Sequence, residues 1–171
     1  MVQTTQTTNT VLPSRLPDNY MSDFSAIPGA FAGFMGSVII IAIIGALALA
    51  TGQDIWLSPR LIASTLLGEG AATGAFPIIL GTIMHLSIGV VYGAFFGLIT
   101  PTMPRALWIV AGIIYGVAIW GIAAVLIPLL SPFDTATTAY FSALIIANVI
   151  FGITLGIAAT FYGFRKSIRT E

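Results

Sequence analysis

The chain contains no cysteine, which excludes disulfides, thiolate nucleophiles and thiolate metal sites. It is also almost without charge. Six Lys or Arg and six Asp or Glu in 171 residues make 7% charged, where a soluble domain carries about 25%. So few charges cannot cover a water-exposed surface, and none falls inside the long apolar runs. A net charge of zero speaks against a nucleic-acid partner, which selects a basic face. The first 25 residues hold no apolar stretch of the kind a cleavable signal peptide needs. Catalytic sets are missing as well: no Ser-His-Asp arrangement, phosphate-binding Gly-rich loop, carboxylate pair or H-E-x-x-H spacing occurs. No enzymatic activity and no metal site are therefore expected.

What remains is apolar: 57% of residues are hydrophobic and the mean hydropathy is +1.02. Four runs, 27–50, 76–99, 106–130 and 138–161, each exceed the roughly 20 residues that cross a bilayer core. The predicted fold class is all-α, an integral membrane four-helix bundle. A polar tail, 1–25, precedes the bundle domain, 26–164, and a basic tail, 165–171, follows it. Short turns at Pro101 to Arg105 and Ser131 to Asp134 predict antiparallel neighbours. The connection between the first two spans is longer. Ser58 and Pro59 read as an N-cap and first helical residue. Leu61, Ile62, Leu66 and Leu67 then recur at helical spacing before Gly68. This segment, 58–67, is too short to span and is expected to lie at the membrane interface; a re-entrant segment is the alternative. Asp54, Arg60, Glu69 and Asp134 could form a charged cluster there, although loop charges are more often simply solvated.

With four spans, both termini and the second connection share one side. That side holds Arg15, Arg105, Arg165, Lys166 and Arg169, against Arg60 alone on the other, which predicts cytoplasmic termini. Tyr92, Trp108, Tyr115 and Tyr162 read as interface anchors, whereas Trp120 lies too deep for that role.

Small residues recur four apart in every span: Gly29 and Gly33 with Ser37 and Gly45, then Gly89, Gly93 and Gly97, then Gly112 and Gly116, and last Gly152 and Gly156. Such ridges let two backbones approach, here within the protein's own bundle. The second and fourth spans look like copies: His85, Gly89 and Gly93 match Asn148, Gly152 and Gly156. Gly29/Gly33 and Gly112/Gly116 repeat more loosely, which suggests two parallel two-helix repeats.

A connection carrying Asp54-Ile-Trp-Leu-Ser-Pro-Arg-Leu-Ile-Ala63, followed by two spans with a polar residue and two glycines four apart, resembles a loosely YagU-like group of uncharacterised four-span bacterial membrane proteins. The resemblance covers about residues 27–164. It implies the fold and a bacterial inner-membrane setting, and no activity. In that group the last span often carries a His where this chain has Asn148.

His85 is the one ionisable side chain inside a span. It reads first as a packing residue bonded to a carbonyl or to Asn148, then as an axial ligand of a tetrapyrrole pigment, then as a proton or ion relay. His85 and Asn148 fall roughly 14 and 15 Å below one surface at about 1.5 Å per residue. They are expected to face inward as a polar pair at matching depth, related by the repeat. The leading functional expectation is a non-catalytic subunit of a larger membrane assembly, such as a respiratory or photosynthetic electron-transfer complex. Its partners would be the lipid bilayer and other membrane subunits. The alternatives are an oligomeric transporter or channel for ions or small solutes, and a pigment-binding protein using His85 as its cofactor site.

Overall fold

The computed structural model describes residues 24–100, 103–130 and 138–169. Outside them lie Asp134 and the expected N-terminal tail up to its last two positions, 24 and 25. The described residues form five helices: α1 (Ala26–Ala50), α2 (Leu57–Leu67), α3 (Phe76–Ile99), α4 (Trp108–Leu130) and α5 (Thr138–Arg169), with 3₁₀ turns at Gly68–Ala72 and Arg105–Leu107. Four of them, all but α2, are long and apolar enough to cross a bilayer. The chain is a multi-pass membrane protein with an all-helical bundle. α5 runs past the expected end of its span to Arg169, so most of the expected basic tail belongs to a helix.

The bundle is built small side inward. On α1 the buried stripe is Gly29, Ala32, Gly33, Gly36, Ser37, Ile40 and Gly45, while Phe31, Phe34, Val38, Ile43 and Leu47 face outward. Lipid tails are as apolar as Leu, so hydrophobicity does not choose the inner face; backbone proximity does. Threonine hydroxyls inside the spans bond to their own helix: Thr82 donates to the Ile78 carbonyl (2.8 Å) and Thr154 to Ile150 (2.9 Å), which pairs these hydroxyls where water is absent.

Two helical hairpins result. In the first, α1 lies on α3, and a Cβ on Gly29 or Gly33 would strike the carbonyl oxygen of Gly93 or Gly89. In the second, α4 lies on α5, where Gly112 faces the Gly152 carbonyl and Gly116 faces that of Asn148. The hairpins meet along α1 and α5 through a side chain: a Cβ on Gly36 would sit 2.9 Å from Phe151 Cδ2. Backbone bears on backbone within a hairpin, and a ring bears on a helix between them.

These contacts admit the repeat in two registers one turn apart. Gly33 on Gly89 and Gly29 on Gly93 match Gly112 on Gly152 and Trp108 on Gly156, which pairs His85 with Asn148 as expected; Gly29 on Gly93 equally matches Gly112 on Gly152, which pairs Gly89 with Asn148. A ridge of glycines four apart aligns with itself after a shift of one turn. The pseudo-symmetry also fails in one place. α1 packs closely on α5, but its symmetry mate, the α3 to α4 seam, barely closes among the described residues.

Among the described residues α2 has no counterpart in the second hairpin. It packs on the first turns of α3, where Gly81 admits the Pro59 carbonyl. Its start differs from expectation. The helix begins at Leu57, and no side chain caps it. Ser58 is thus inside the first turn, and the turn before it is made by Asp54, whose Oδ1 accepts the Trp56 N–H (3.0 Å). Pro59 remains within the first turn, where its missing N–H costs nothing.

Candidate functional site

The open seam leaves a chamber of about 280 Å³ between the hairpins. Its walls come from halves of all five helices nearest the α2 end, including Ile40 of α1, Leu61 of α2, Ile88 of α3, Ala123 of α4 and Phe151 of α5. Most of the lining is apolar. The polar residues are Ser37, Ser58, Thr65, His85, Tyr92 and Asn148, and among the described residues no Asp, Glu, Lys or Arg lines the space. Ile88, Ile122 and Leu126 line the chamber and are also 44%, 50% and 46% exposed. Its mouth therefore lies between α3 and α4 and faces the lipid.

His85 and Asn148 reach this chamber from opposite hairpins. The imidazole lies beside the Ser37 carbonyl on α1, and its Nε2 is buried without a hydrogen-bond partner among the described residues. The Asn148 side-chain amide donates to the Leu144 carbonyl of its own helix (2.9 Å). Both face inward, and of the two expected partners His85 has a carbonyl, that of Ser37, rather than the Asn148 side chain. The other buried unpartnered atom is Trp120 Nε1, which is not part of the chamber wall.

The floor of the chamber is a crossing bond: Tyr115 Oη on α4 donates to the Tyr92 carbonyl on α3 (2.9 Å). Beyond it the bundle is shut by rings. Phe96 packs on Tyr115 with centroids 5.3 Å apart, and Phe24 meets Phe96 and Tyr162 edge-on, each at 6.2 Å. Trp108 is fully buried and donates its Nε1–H to the Met103 carbonyl (3.2 Å). Trp108 and Tyr115 are thus part of the closure, not interface anchors. Their rings fill the end of the bundle that glycine pairs would otherwise leave hollow. The chamber is open toward α2 and lipid, and sealed toward the α3–α4 connection.

Of the expected loop cluster, one ion pair is described: Arg60 Nε to Asp54 Oδ2 at 3.3 Å. Arg60 Nη1 also donates to the Gly74 carbonyl (3.0 Å) and the Ala71 carbonyl (3.4 Å). One guanidinium thus ties the beginning of α2 to the chain that follows it. The glycine ridges are where the helices touch, and none carries a ligand-facing group except Gly89, which lines the chamber beside Ser37. Gly81, which seats α2, was missed in the sequence, because its partner is a proline carbonyl on another helix and leaves no periodic signal. No group of three or more His, Cys, Asp or Glu that could hold a metal occurs among the described residues.

Comparison with family models, with curated proteins and with solved structures found no match.

Proposed function

We propose that this is a non-catalytic membrane protein that holds a small, largely apolar molecule in the chamber between its hairpins. The observation that carries the reading is the lipid-facing chamber itself. It is preserved by an open α3 to α4 seam and lined by the one histidine of the sequence, His85. Binding sites are typically apolar hollows with a few polar groups that orient the occupant. Such a role suits a component of a larger membrane assembly. The tetrapyrrole reading of His85 gains less support, since about 280 Å³ falls just below the roughly 300 Å³ at which pockets for drug-sized molecules begin.

The setting we propose is the bacterial inner membrane with both termini cytoplasmic, supported by the five-to-one division of basic residues. The chamber then opens in the outer half of the bilayer. Transport is the second reading. It is favoured by the two zippered hairpins around a one-ended chamber, which could rock as units; the thin polar lining weighs against an ion or a polar solute.

Native mass spectrometry of the protein taken from its own membranes in mild detergent tests the main reading. The expected result is a bound amphiphile near one per chain, absent from Ala147→Phe, which fills the chamber from a wall residue only 6% exposed. Identical spectra for both proteins would contradict it.

A further inference from the structure

The chamber's chemistry narrows its occupant. We infer that it takes a small uncharged amphiphile bearing a hydroxyl, which passes laterally from the bilayer between α3 and α4 and hydrogen-bonds to Asn148 on the chamber wall. This rests on the chamber reading above.

Size comes first. About 280 Å³ is roughly twice the 150 Å³ cavity known to hold benzene, which corresponds to about ten to twelve non-hydrogen atoms. Charge comes second. Among the described residues no acidic or basic side chain other than His85 lines the chamber, so an ionised occupant would lose its hydration without gaining a counter-charge from them.

The hydroxyl follows from what the wall leaves unused. Asn148 uses one amide hydrogen on the Leu144 carbonyl (2.9 Å). Its Oδ1, a pure acceptor, receives no bond among the described residues. His85 Nε2 is buried and unpartnered. That nitrogen has no surface toward the chamber, so the available group is Asn148 Oδ1: an acceptor left unpaired away from water costs about 1–3 kcal/mol, and a hydroxyl can donate to it. An ether or hydrocarbon would leave the Asn148 acceptor unmet.

The route follows from exposure. Ile88, Ile122 and Leu126 form the lip of the mouth, and all three are apolar. The glycine-paired seams of α1 with α3 and α4 with α5 leave no room for passage. A molecule already dissolved in the bilayer needs no aqueous path to reach this opening.

The test uses the full chain in lipid nanodiscs, with 1-naphthol, naphthalene and 1-naphthalenesulfonate measured by equilibrium dialysis against protein-free nanodiscs. Thermal unfolding of each variant checks that it is folded. Saturable binding of 1-naphthol near one per chain is expected, weakened about tenfold in Asn148→Leu. Naphthalene should bind more weakly, with no change in that variant, and the sulfonate should not bind. Equal binding of naphthol and naphthalene, wild-type affinity for naphthol in Asn148→Leu, or preference for the sulfonate would overturn the inference. Naphthalene binding that Ala147→Phe removes, with no advantage for naphthol, overturns the hydroxyl assignment and leaves the chamber reading standing. If no probe binds above the protein-free level, the inference and the chamber reading fall together.

Discussion

Three glycines that look alike in sequence should respond differently to one added methyl. At Gly93 a Cβ would strike the Gly29 carbonyl and lie 2.7 Å from Gly33 Cα. Both obstacles are backbone, so α1 and α3 must part. A gap of 0.5–1 Å forfeits about a quarter to a half of each contact, and for a seam on the order of 40 atom pairs at 0.1–0.2 kcal/mol this loses about 1–4 kcal/mol. The helix-propensity gain of Ala over Gly returns about 1 kcal/mol. Gly93→Ala should therefore destabilise by up to about 3 kcal/mol. At Gly36 the obstacle is the Phe151 ring, 2.9 Å away, which can turn aside, so Gly36→Ala should be near neutral. Nothing lies within 4 Å of a Cβ at Gly121, and Gly121→Ala should stabilise by about 1 kcal/mol or less. Equilibrium unfolding in mixed micelles, followed by circular dichroism, gives the order Gly121→Ala, then Gly36→Ala, then Gly93→Ala. Equal stability of the first and last would refute the claim that backbone contact holds each hairpin.

Other substitutions test other parts. Tyr115→Phe removes the bond to the Tyr92 carbonyl and should cost about 0.5–1.5 kcal/mol, read by the same unfolding assay. His85→Leu in the empty protein should change stability by less than about 1 kcal/mol, because it deletes a buried unpartnered nitrogen and, against that, the contact of the imidazole with the Ser37 carbonyl on α1; a loss well beyond that would mean that the imidazole is what holds α1 to α3. Arg60→Gln breaks a pair whose Asp54 partner is 51% exposed, so global stability should change by less than about 1 kcal/mol. Amide exchange in residues 51–75 should nevertheless rise, since three anchor points of the connection are lost.

The spans were legible because length and apolarity suffice to mark them; the bounds 76–99 of α3 agree with the expected run at both ends. The packing faces were legible too, in the glycine ridges, although both faces of α1 are equally apolar. The partner of each ridge was not. Gly-xxx-Gly repeats every turn, so the sequence does not say whether Asn148 matches His85 or Gly89. Two polar residues of the chamber, His85 and Asn148, were legible as polar groups inside spans, but its volume and mouth were not, because they arise from a seam that does not close. The aromatic closure was misread for a related reason: Trp108 and Tyr115 sit where anchors would sit, and only the neighbouring Phe24 and Phe96 turn them inward. The start of α2 was misplaced since Ser58-Pro59 is a good N-terminal signal locally, while the Asp54 turn one step earlier already sets the helix.

The central claim is that a lipid-facing chamber between α3 and α4 receives small amphiphiles. Photolabelling in native-like bilayers tests it most directly, using an octanol that carries a diazirine and mapping the adducts by peptide mass spectrometry. The account predicts adducts concentrated at chamber residues such as Ile88, Ala123 and Leu126, and suppressed by excess unlabelled octanol. Phe31 and Ile114, which are 68% and 64% exposed and lie outside the chamber, should label weakly and without competition. Adducts spread evenly over all outward-facing residues, unaffected by competitor, would contradict it.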